Sequence, residues 1–312
     1  MIDTLEFSLY NTYYDYNSIK QIFEGKMQFK VNSTYPNGSA LTFNYKNYSF
    51  TLTQHHLIAK GSLTKLYYDD NLQNLNFSQV QEALTEFETL FGIPFDKAIV
   101  TRVDIASSML MDQLPKLYID ILQAPSGFEA DNKRTTKTFK HHATVICIYD
   151  KVEQLRIDRY QRAAYNKFKG HNILKYEYRC KSYTFRTLSD GITTFDCLYS
   201  PQFYKALLKE WYEGYKLIPK LTLPYASQLN YTSLSAFKES LLKIGINTIG
   251  GIEVLMGGLK HIKMPKFVRG AIKRYLESLP KLKPLSPILQ KELDDKIDFA
   301  YESAMLELQD TL

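Results

Sequence analysis

The chain has few cysteines and no long apolar run. Its 312 residues include only three cysteines, Cys147, Cys180 and Cys197, and none of them forms a CxxC pair. We therefore expect neither a disulfide framework nor a structural zinc site, and a reducing cytoplasm is the simplest compartment. No apolar run approaches the 18 residues of a membrane span, and the first residues lack the basic and apolar segments of a secretory signal.

The charge of the chain is modest in total but unevenly distributed. The net charge is +6, and the 45% hydrophobic and 23% charged residues are typical of globular proteins with one or two domains. The segment Asp131–Arg186 holds 14 Lys and Arg residues against 5 acidic ones, which leaves the rest of the chain at −3. This asymmetry favours a polyanionic partner at one region, with a solvated basic face as the alternative.

Hydrophobic periodicity divides the chain near residue 200. The first part alternates strands and helices, which predicts an α+β domain over 1–200, and the second predicts a smaller all-helical domain over 201–312. The predicted strands are 2–9, 26–32, 40–45, 48–53, 98–109, 143–149 and 173–181, with β character also over 55–60 and 63–68. The predicted helices are one from Ser78 to Gly92, one at 114–123, and, after Pro201, those at 202–215, 233–243, 249–260, 266–279 and 287–309.

The strand around Asp104 carries a carboxylate in an otherwise apolar run. Side chains alternate along a strand, so Arg102 and Asp104 share one face while Val103 and Ile105 take the other. A carboxylate in such a position is costly to bury unless it is paired or bound to a cation. The two interpretations are an Arg102–Asp104 pair on a solvated face and a metal ligand.

Two further strands carry residues of possible chemical importance. On the strand 173–181, Glu177 shares a face with three cations, which indicates either a cross-strand ionic ladder or a divalent ion beside a phosphate. The strand 143–149 ends at Tyr149, a position typical of a core or rim aromatic. As a nucleophile Tyr149 would need help from an ammonium such as Lys151 or from a metal, because a phenol has a pKa near 10.

Taken together and in this order, these segments resemble a known family. The segments are Arg-Val-Asp-Ile-Ala at 102–106, Val-Ile-Cys-Ile-Tyr-Asp-Lys-Val-Glu at 145–153 and Leu-Lys-Tyr-Glu-Tyr-Arg-Cys-Lys at 174–181. They are similar to the rolling-circle replication initiators of filamentous phages, the gene II replication protein family, and to related plasmid initiators. The opening Met-Ile-Asp-Thr-Leu and Lys-Gly-Ser-Leu-Thr-Lys at 60–65 fit the phage version. The resemblance covers roughly residues 1–190.

The resemblance implies a site-specific DNA nickase related to the HUH endonucleases, with an antiparallel sheet and helices packed on it. It makes Tyr149 the nucleophile. The chemistry of a phenol nucleophile then gives Lys151 one of two roles, to stabilise the phenolate or to contact a phosphate. The resemblance makes Asp104 and Glu177 ligands of Mg²⁺ or Mn²⁺, which prefer hard oxygen donors. The His-hydrophobic-His triplet of HUH enzymes is missing, since 55–56 and 141–142 are adjacent histidine pairs. His56 is therefore either a further ligand or a surface histidine.

Attack by Tyr149 would give a 5′-phosphotyrosine and a free 3′-OH that primes a host polymerase. The implied partners are single-stranded and supercoiled origin DNA, a host helicase and a polymerase, in the cytoplasm of a bacterial host and without a membrane. Tyr160 and Tyr165 lie five residues apart, not one helical turn, and are predicted to pack or to stack on bases. The predicted DNA contacts are Lys60, Lys65, Lys175, Arg179 and Lys181.

Two other functions stay open. One is a non-catalytic DNA-binding regulator or single-strand binder on the same scaffold, and the other is a metal-dependent nuclease that uses water. The segment Leu259–Lys283 has 8 basic residues and one acidic residue. It predicts an amphipathic basic helix that contacts duplex DNA or forms an ordinary surface helix, and a helix-turn-helix around Gly250–Gly258 is possible.

Overall fold

The computed structural model describes residues 1–25, 30–34, 40–158 except 69, 71 and 94, 161–181, 184, 188, 191–220, 285–309 and single residues between 235 and 275. The strands are β1 Ile2–Tyr10, β2 Lys30–Thr34, β3 Ala40–Tyr45, β4 Tyr48–Thr53, β5 His56–Ser62, β6 Ile99–Leu110, β7 Glu129–Lys133, β8 Thr136–His141, β9 Thr144–Asp150 and β10 Ile173–Lys181. The α-helices are α1 Tyr16–Gly25, α2 Leu63–Tyr68, α3 Phe77–Phe91, α4 Pro115–Ile121, α5 Lys151–Ile157, α6 Arg162–Phe168, α7 Pro201–Lys216 and α8 Leu285–Gln309.

The ten strands of the described part form one sheet in the order β2-β3-β4-β5-β1-β6-β10-β9-β8-β7. Every neighbouring pair is antiparallel. The strands predicted to carry Asp104, Glu177 and Tyr149 are β6, β10 and β9, and they are consecutive in the sheet. The predicted α+β class is confirmed, and the sheet order brings three distant sequence segments side by side.

The two faces of the sheet differ in chemistry because side chains alternate along each strand. On β1 the residues Leu5, Phe7 and Leu9 are buried in the hydrophobic core, while Glu6 and Ser8 face the other side and are partly exposed. We call the core side the apolar face. We call the opposite side the polar face. It carries Glu6 on β1, Asp104 on β6 and Glu177 on β10.

Aromatic side chains fill the space between the apolar face and the helices that cover it. Phe7 on β1 makes edge-on contacts with Phe87 of α3 and with Phe95, at ring-centroid distances of 5.7 and 5.1 Å. Each fully buried phenylalanine contributes about 1.5–3 kcal/mol relative to an exposed one. Helix α3 is fixed at its start by a capping box between Asn76 and Gln79, and it ends at Gly92 in the left-handed conformation.

Helix α7 lies directly against β10. The Tyr176 hydroxyl donates a 2.8 Å hydrogen bond to the carbonyl of Trp211, and the Tyr178 ring occupies the place where a side chain at Gly214 would be. Only glycine therefore allows this approach of helix to sheet. Helix α8 packs on α7 through the hydrogen bond from Tyr215 to Asp294, 2.5 Å long. None of the described helices has the length and apolarity that would let it cross a membrane.

Two local predictions are wrong. Residues 63–68 form the helix α2 and not a strand, because the Ser62 hydroxyl accepts the Lys65 backbone N–H at 3.2 Å as an N-cap would. The helix predicted to begin at Ser78 is capped two residues earlier by Asn76, whose side chain bonds the backbone of Gln79. The hairpin β7–β8 was not predicted, since β7 is exposed along its whole length and shows no apolar alternation.

The predicted helices at 202–215 and 287–309 are confirmed as α7 and α8, and both pack on the same core as the sheet. The division at residue 200 stays a prediction. The helices predicted at 233–243, 249–260 and 266–279, the basic stripe and the helix-turn-helix fall largely outside the described residues, as does Tyr160.

Candidate active site on the polar face

Strand register brings the predicted site residues together on the polar face. Arg179 on β10 lies directly opposite Asp104 on β6. On the other side of β10, Lys175 lies opposite Tyr149 of β9. Glu177 stands between Lys175 and Arg179 on the same face, so the two carboxylates and the tyrosine lie on one face of three adjacent strands.

The Tyr149 hydroxyl donates a 2.5 Å hydrogen bond to Oε1 of Glu177. Tyr149 is only 8% exposed. Burial, together with the negative charge of Glu177, raises the pKa of Tyr149 well above 10. The phenol is therefore protonated in this arrangement, and Glu177 is the group placed to accept its proton.

Two arginines neutralise the predicted metal ligands. Arg102 donates from Nε and Nη2 to both oxygens of Asp104, at 2.7 and 2.5 Å. Arg179 donates from Nη2 to Oε2 of Glu177 at 2.9 Å, and its Nε lies 3.8 Å from Asp104. Burial raises the pKa of Asp104 to about 6 although Arg102 opposes this shift. The Arg102–Asp104 pair and the cross-strand ladder, which the sequence left open, are present, but Asp104 is buried and not on a solvated face.

Asp3 belongs to the same network and was missed from the sequence. Its carboxylate lies 2.9 Å from Nζ of Lys175 and accepts a 2.9 Å hydrogen bond from Ser62. Burial alone would raise the pKa of Asp3, but the charge and hydrogen bond of Lys175, the charge of Lys151 and the hydrogen bond from Ser62 together outweigh it, so the pKa is lowered. Strict alternation places Asp3 with Leu5 in the core, and a register shift between Ile2 and Thr4 turns it to the polar face. The sequence signal for this was an acidic residue at a position where strict alternation predicts a core side chain.

Lys151 is the first residue of α5 and is fully buried beside Tyr149. Its ammonium lies 5.9 Å from the centre of the Tyr149 ring and donates a 2.7 Å hydrogen bond to Gln154. Among the described residues, no carboxylate lies within ion-pair distance of it. Burial and the nearby charge of Lys175 lower the pKa of Lys151 to about 7. Lys151 can thus hold or release a proton near neutral pH.

The predicted DNA contacts divide into an exposed and a buried set. Lys60 and Lys181 are exposed, and they flank the pair of Glu6 and Arg102 in one row across β5, β1, β6 and β10. Lys65 on α2 is partly buried, and burial lowers its pKa. Lys175 is 2% exposed and held by Asp3, so it serves the network of the sheet, and Arg179 is shared between carboxylates.

The predicted Mg²⁺ or Mn²⁺ fits the site in donor type but meets a competing set of cations. Asp104 and Glu177 offer hard oxygen ligands on one face of adjacent strands. Both carboxylates already carry an arginine, so a divalent ion requires Arg102 and Arg179 to turn away. In the part of the chain that the structure describes, no three His, Cys, Asp or Glu side chains are grouped to hold a metal ion.

Two residues with open roles can be placed. His56 lies six residues along β5 from Ser62, which is level with Asp104, a separation of about 20 Å. It is therefore not a neighbour of these carboxylates. Tyr165 on α6 packs against Leu155 and Ile173, as predicted for a packing residue.

The chain matches no protein-family model and no curated protein. A tyrosine hydroxyl rests on a carboxylate acceptor, with Arg102, Arg179, Lys151 and Lys175 in the same network. The partly exposed arginines of this set can hold a phosphodiester, and its carboxylate can activate a hydroxyl toward the phosphorus.

Proposed function

We propose that this protein is a site-specific single-strand DNA endonuclease and ligase that starts rolling-circle replication of phage or plasmid DNA. The observation that carries the proposal is the hydrogen bond from Tyr149 to Glu177, with the cationic side chains of Lys151, Lys175 and Arg179 beside it. The order of the segments around Asp104, Tyr149 and Glu177, which resembles the gene II replication protein family, supports the same activity.

The proposed reaction begins with transfer of the Tyr149 proton to Glu177. The phenolate oxygen forms a bond to the scissile phosphorus, and the bond from phosphorus to the 3′ oxygen breaks. The products are a 5′-phosphotyrosine and a free 3′-OH, which gains its proton from Lys151, the neighbouring group with a pKa of about 7. In the reverse direction a later 3′-OH attacks the phosphotyrosine, restores the phosphodiester and releases Tyr149.

The cations that would bind the phosphate are paired with carboxylates in this structure. Arg179 is 32% exposed at its side chain and can exchange Asp104 for a phosphate oxygen, which keeps a charge-assisted contact in both states. Mg²⁺ or Mn²⁺ on Asp104 and Glu177 would polarise the same phosphate. Lys60 and Lys181 would hold the flanking DNA, and the 3′-OH would serve a host polymerase with a host helicase.

The test is to incubate the full chain with a supercoiled plasmid that carries its coding sequence and flanking DNA, with Mg²⁺ or Mn²⁺ present. Mass spectrometry of the digested product should find a nucleotide adduct on the peptide that contains Tyr149. A nicked plasmid without any protein adduct would indicate a nuclease that uses water.

The burial of Tyr149 supports a second function as well. Tyr149 is buried, its pKa is raised, and its acceptor Glu177 is engaged by Arg179. These contacts equally suit a non-catalytic DNA-binding regulator or single-strand binder in which the network only holds the sheet together. Binding of DNA without nicking or adduct, under every metal condition, would favour that function.

A further inference from the structure

An exposed aromatic pair lies at the far end of the polar face. Tyr10, the last residue of β1, is directly opposite His56, the first residue of β5. Their rings meet edge to face with centroids 6.5 Å apart. Tyr10 is 48% exposed, whereas its neighbour Leu9 on the apolar face is fully buried. The tyrosine ring is therefore presented to solvent and supported from one side.

The register shows that this pair belongs to the same surface as the candidate active site. Tyr10 has the parity of Glu6 on β1, and His56 has the parity of Lys60 on β5. The ion pair between Lys60 and Glu6, 3.4 Å long, fixes which face these residues share. In the next strands Arg102 and Lys181 continue that row. A row of three cations, with Glu6 among them, thus crosses the sheet between Tyr149 and Tyr10.

We infer that Tyr10 and His56 form a base-stacking platform for single-stranded nucleic acid that runs along the polar face from Tyr149. That the ligand is single-stranded DNA rests on the proposed function. The platform itself rests on the exposed ring of Tyr10 and on the row of cations. Aromatic faces stack on any base, and lysines that track the phosphates supply affinity without sequence preference. The two features together are what a groove for a single strand requires.

The length of the surface sets the size of the ligand. Four residues separate the position opposite Tyr149 from Arg179, and six separate Thr4, which is level with Arg179, from Tyr10. Ten strand residues span about 33 Å. At about 3.4 Å per stacked nucleotide this corresponds to about ten nucleotides, and to fewer when the strand is stretched.

The platform can be tested by fluorescence anisotropy with labelled oligothymidines of about 5 and about 15 nucleotides. Tyr10→Ala should weaken binding of the longer oligonucleotide by about 5- to 150-fold, the effect of losing one stacked base, while Tyr10→Phe retains the ring and the affinity. Phe299→Ala is the matched control, because Phe299 is 70% exposed on α8, which packs on the apolar side. It should bind as the unmodified protein does.

An abasic oligonucleotide of the same length separates stacking from charge. It offers the same phosphates but no bases, so Tyr10→Ala and the unmodified protein should bind it equally. Equal losses on both oligonucleotides, or no loss on either, would overturn the platform. Because the readout is binding, a protein that never nicks DNA can still show this pattern, and a nickase can fail to show it, so the two proposals stand or fall separately.

Discussion

The Tyr149 hydroxyl and the Glu177 carboxylate meet diagonally across β9 and β10 at 2.5 Å. The pair lies on the face of the sheet that also carries Asp104, and the same guanidinium of Arg179 contacts both carboxylates. A hydroxyl on a carboxylate is a base-assisted nucleophile when substrate is near and a structural hydrogen bond when it is not. Removal of the Tyr149 hydroxyl distinguishes the two roles, because only a nucleophile is essential for nicking.

Tyr149→Phe should therefore abolish nicking and adduct formation and leave DNA binding unchanged, since only the hydroxyl is lost. Nicking is measured by conversion of supercoiled to open-circular plasmid, and binding by gel shift. Tyr165→Phe, on α6, is the matched control and should nick normally. Full nicking by Tyr149→Phe would move the nucleophile elsewhere, with Tyr160 and Tyr165 next in line.

Strand parity was sufficient to predict which side chains of each strand share a face. The alternation around Asp104 and Glu177 correctly places each carboxylate on the polar face, and the predicted strands agree with β6, β9 and β10 to within a residue or so. What parity cannot give is register between strands distant in sequence. The contact of Arg179 with Asp104 therefore could not be predicted. The sequence did leave open an Arg102–Asp104 pair and an ionic ladder around Glu177.

Asp3 shows where the periodic pattern fails. A single extra residue in β1 reverses the face of its side chain, and such a bulge depends on how β1 pairs with β6. Helix α2 fails for a similar reason, because a serine cap outweighs the β propensity of the following residues. The exposed hairpin β7–β8 has no apolar face to detect.

Removing Arg179 should destabilise the fold because it leaves two carboxylates without their shared cation. We expect Arg179→Met to lower the free energy of unfolding by about 3 kcal/mol, the lower end for a broken buried pair, since the guanidinium is partly exposed. Urea unfolding measures this loss. Combining it with Glu177→Gln should recover part of it, and Arg156→Met on the surface of α5 should change little. Additive losses in the double variant would contradict the shared-cation interpretation.

Lys151 gives stability a definite pH dependence. Its pKa is about 7 in the folded protein and 10.5 in the unfolded chain, so between these values the unfolded chain binds more protons and stability rises with pH. Below pH 7 both states are protonated, and the cost of the buried ammonium is fully present, up to about 5 kcal/mol. Lys151→Met should therefore be more stable than the unmodified protein at pH 6, with a smaller gain at pH 9. Lys167→Met on α6 should show no such dependence.

Metal binding is tested on the carboxylates directly. If Asp104 and Glu177 hold Mn²⁺, titration followed by electron paramagnetic resonance should detect bound Mn²⁺ in the unmodified protein and at least tenfold weaker binding in Asp104→Asn and Glu177→Gln, about 1.4 kcal/mol or more. Asp120→Asn, in a surface pair with Lys116, is the control. Unchanged Mn²⁺ affinity in both site variants, or full nicking after chelation, would remove the metal from the site.

The salt dependence of DNA binding separates cations that contact phosphates from cations that hold the sheet. Each phosphate contact to a single strand contributes about 0.7 to the log–log slope of affinity against salt concentration. Lys60 and Lys181 are exposed on the polar face, so replacing both with alanine should flatten the slope by about 1.4, if each contacts one phosphate.

Lys175→Ala should keep the slope of the unmodified protein, because Lys175 is buried against Asp3, and should instead lower stability. Lys209→Ala, on the exposed side of α7 over the apolar face, is the control for a change in overall charge. If Lys175→Ala flattens the slope and the Lys60 and Lys181 double variant does not, the DNA contacts the buried network around Lys175 and does not contact Lys60 or Lys181. If none of the variants changes the slope, the single strand does not run along the polar face.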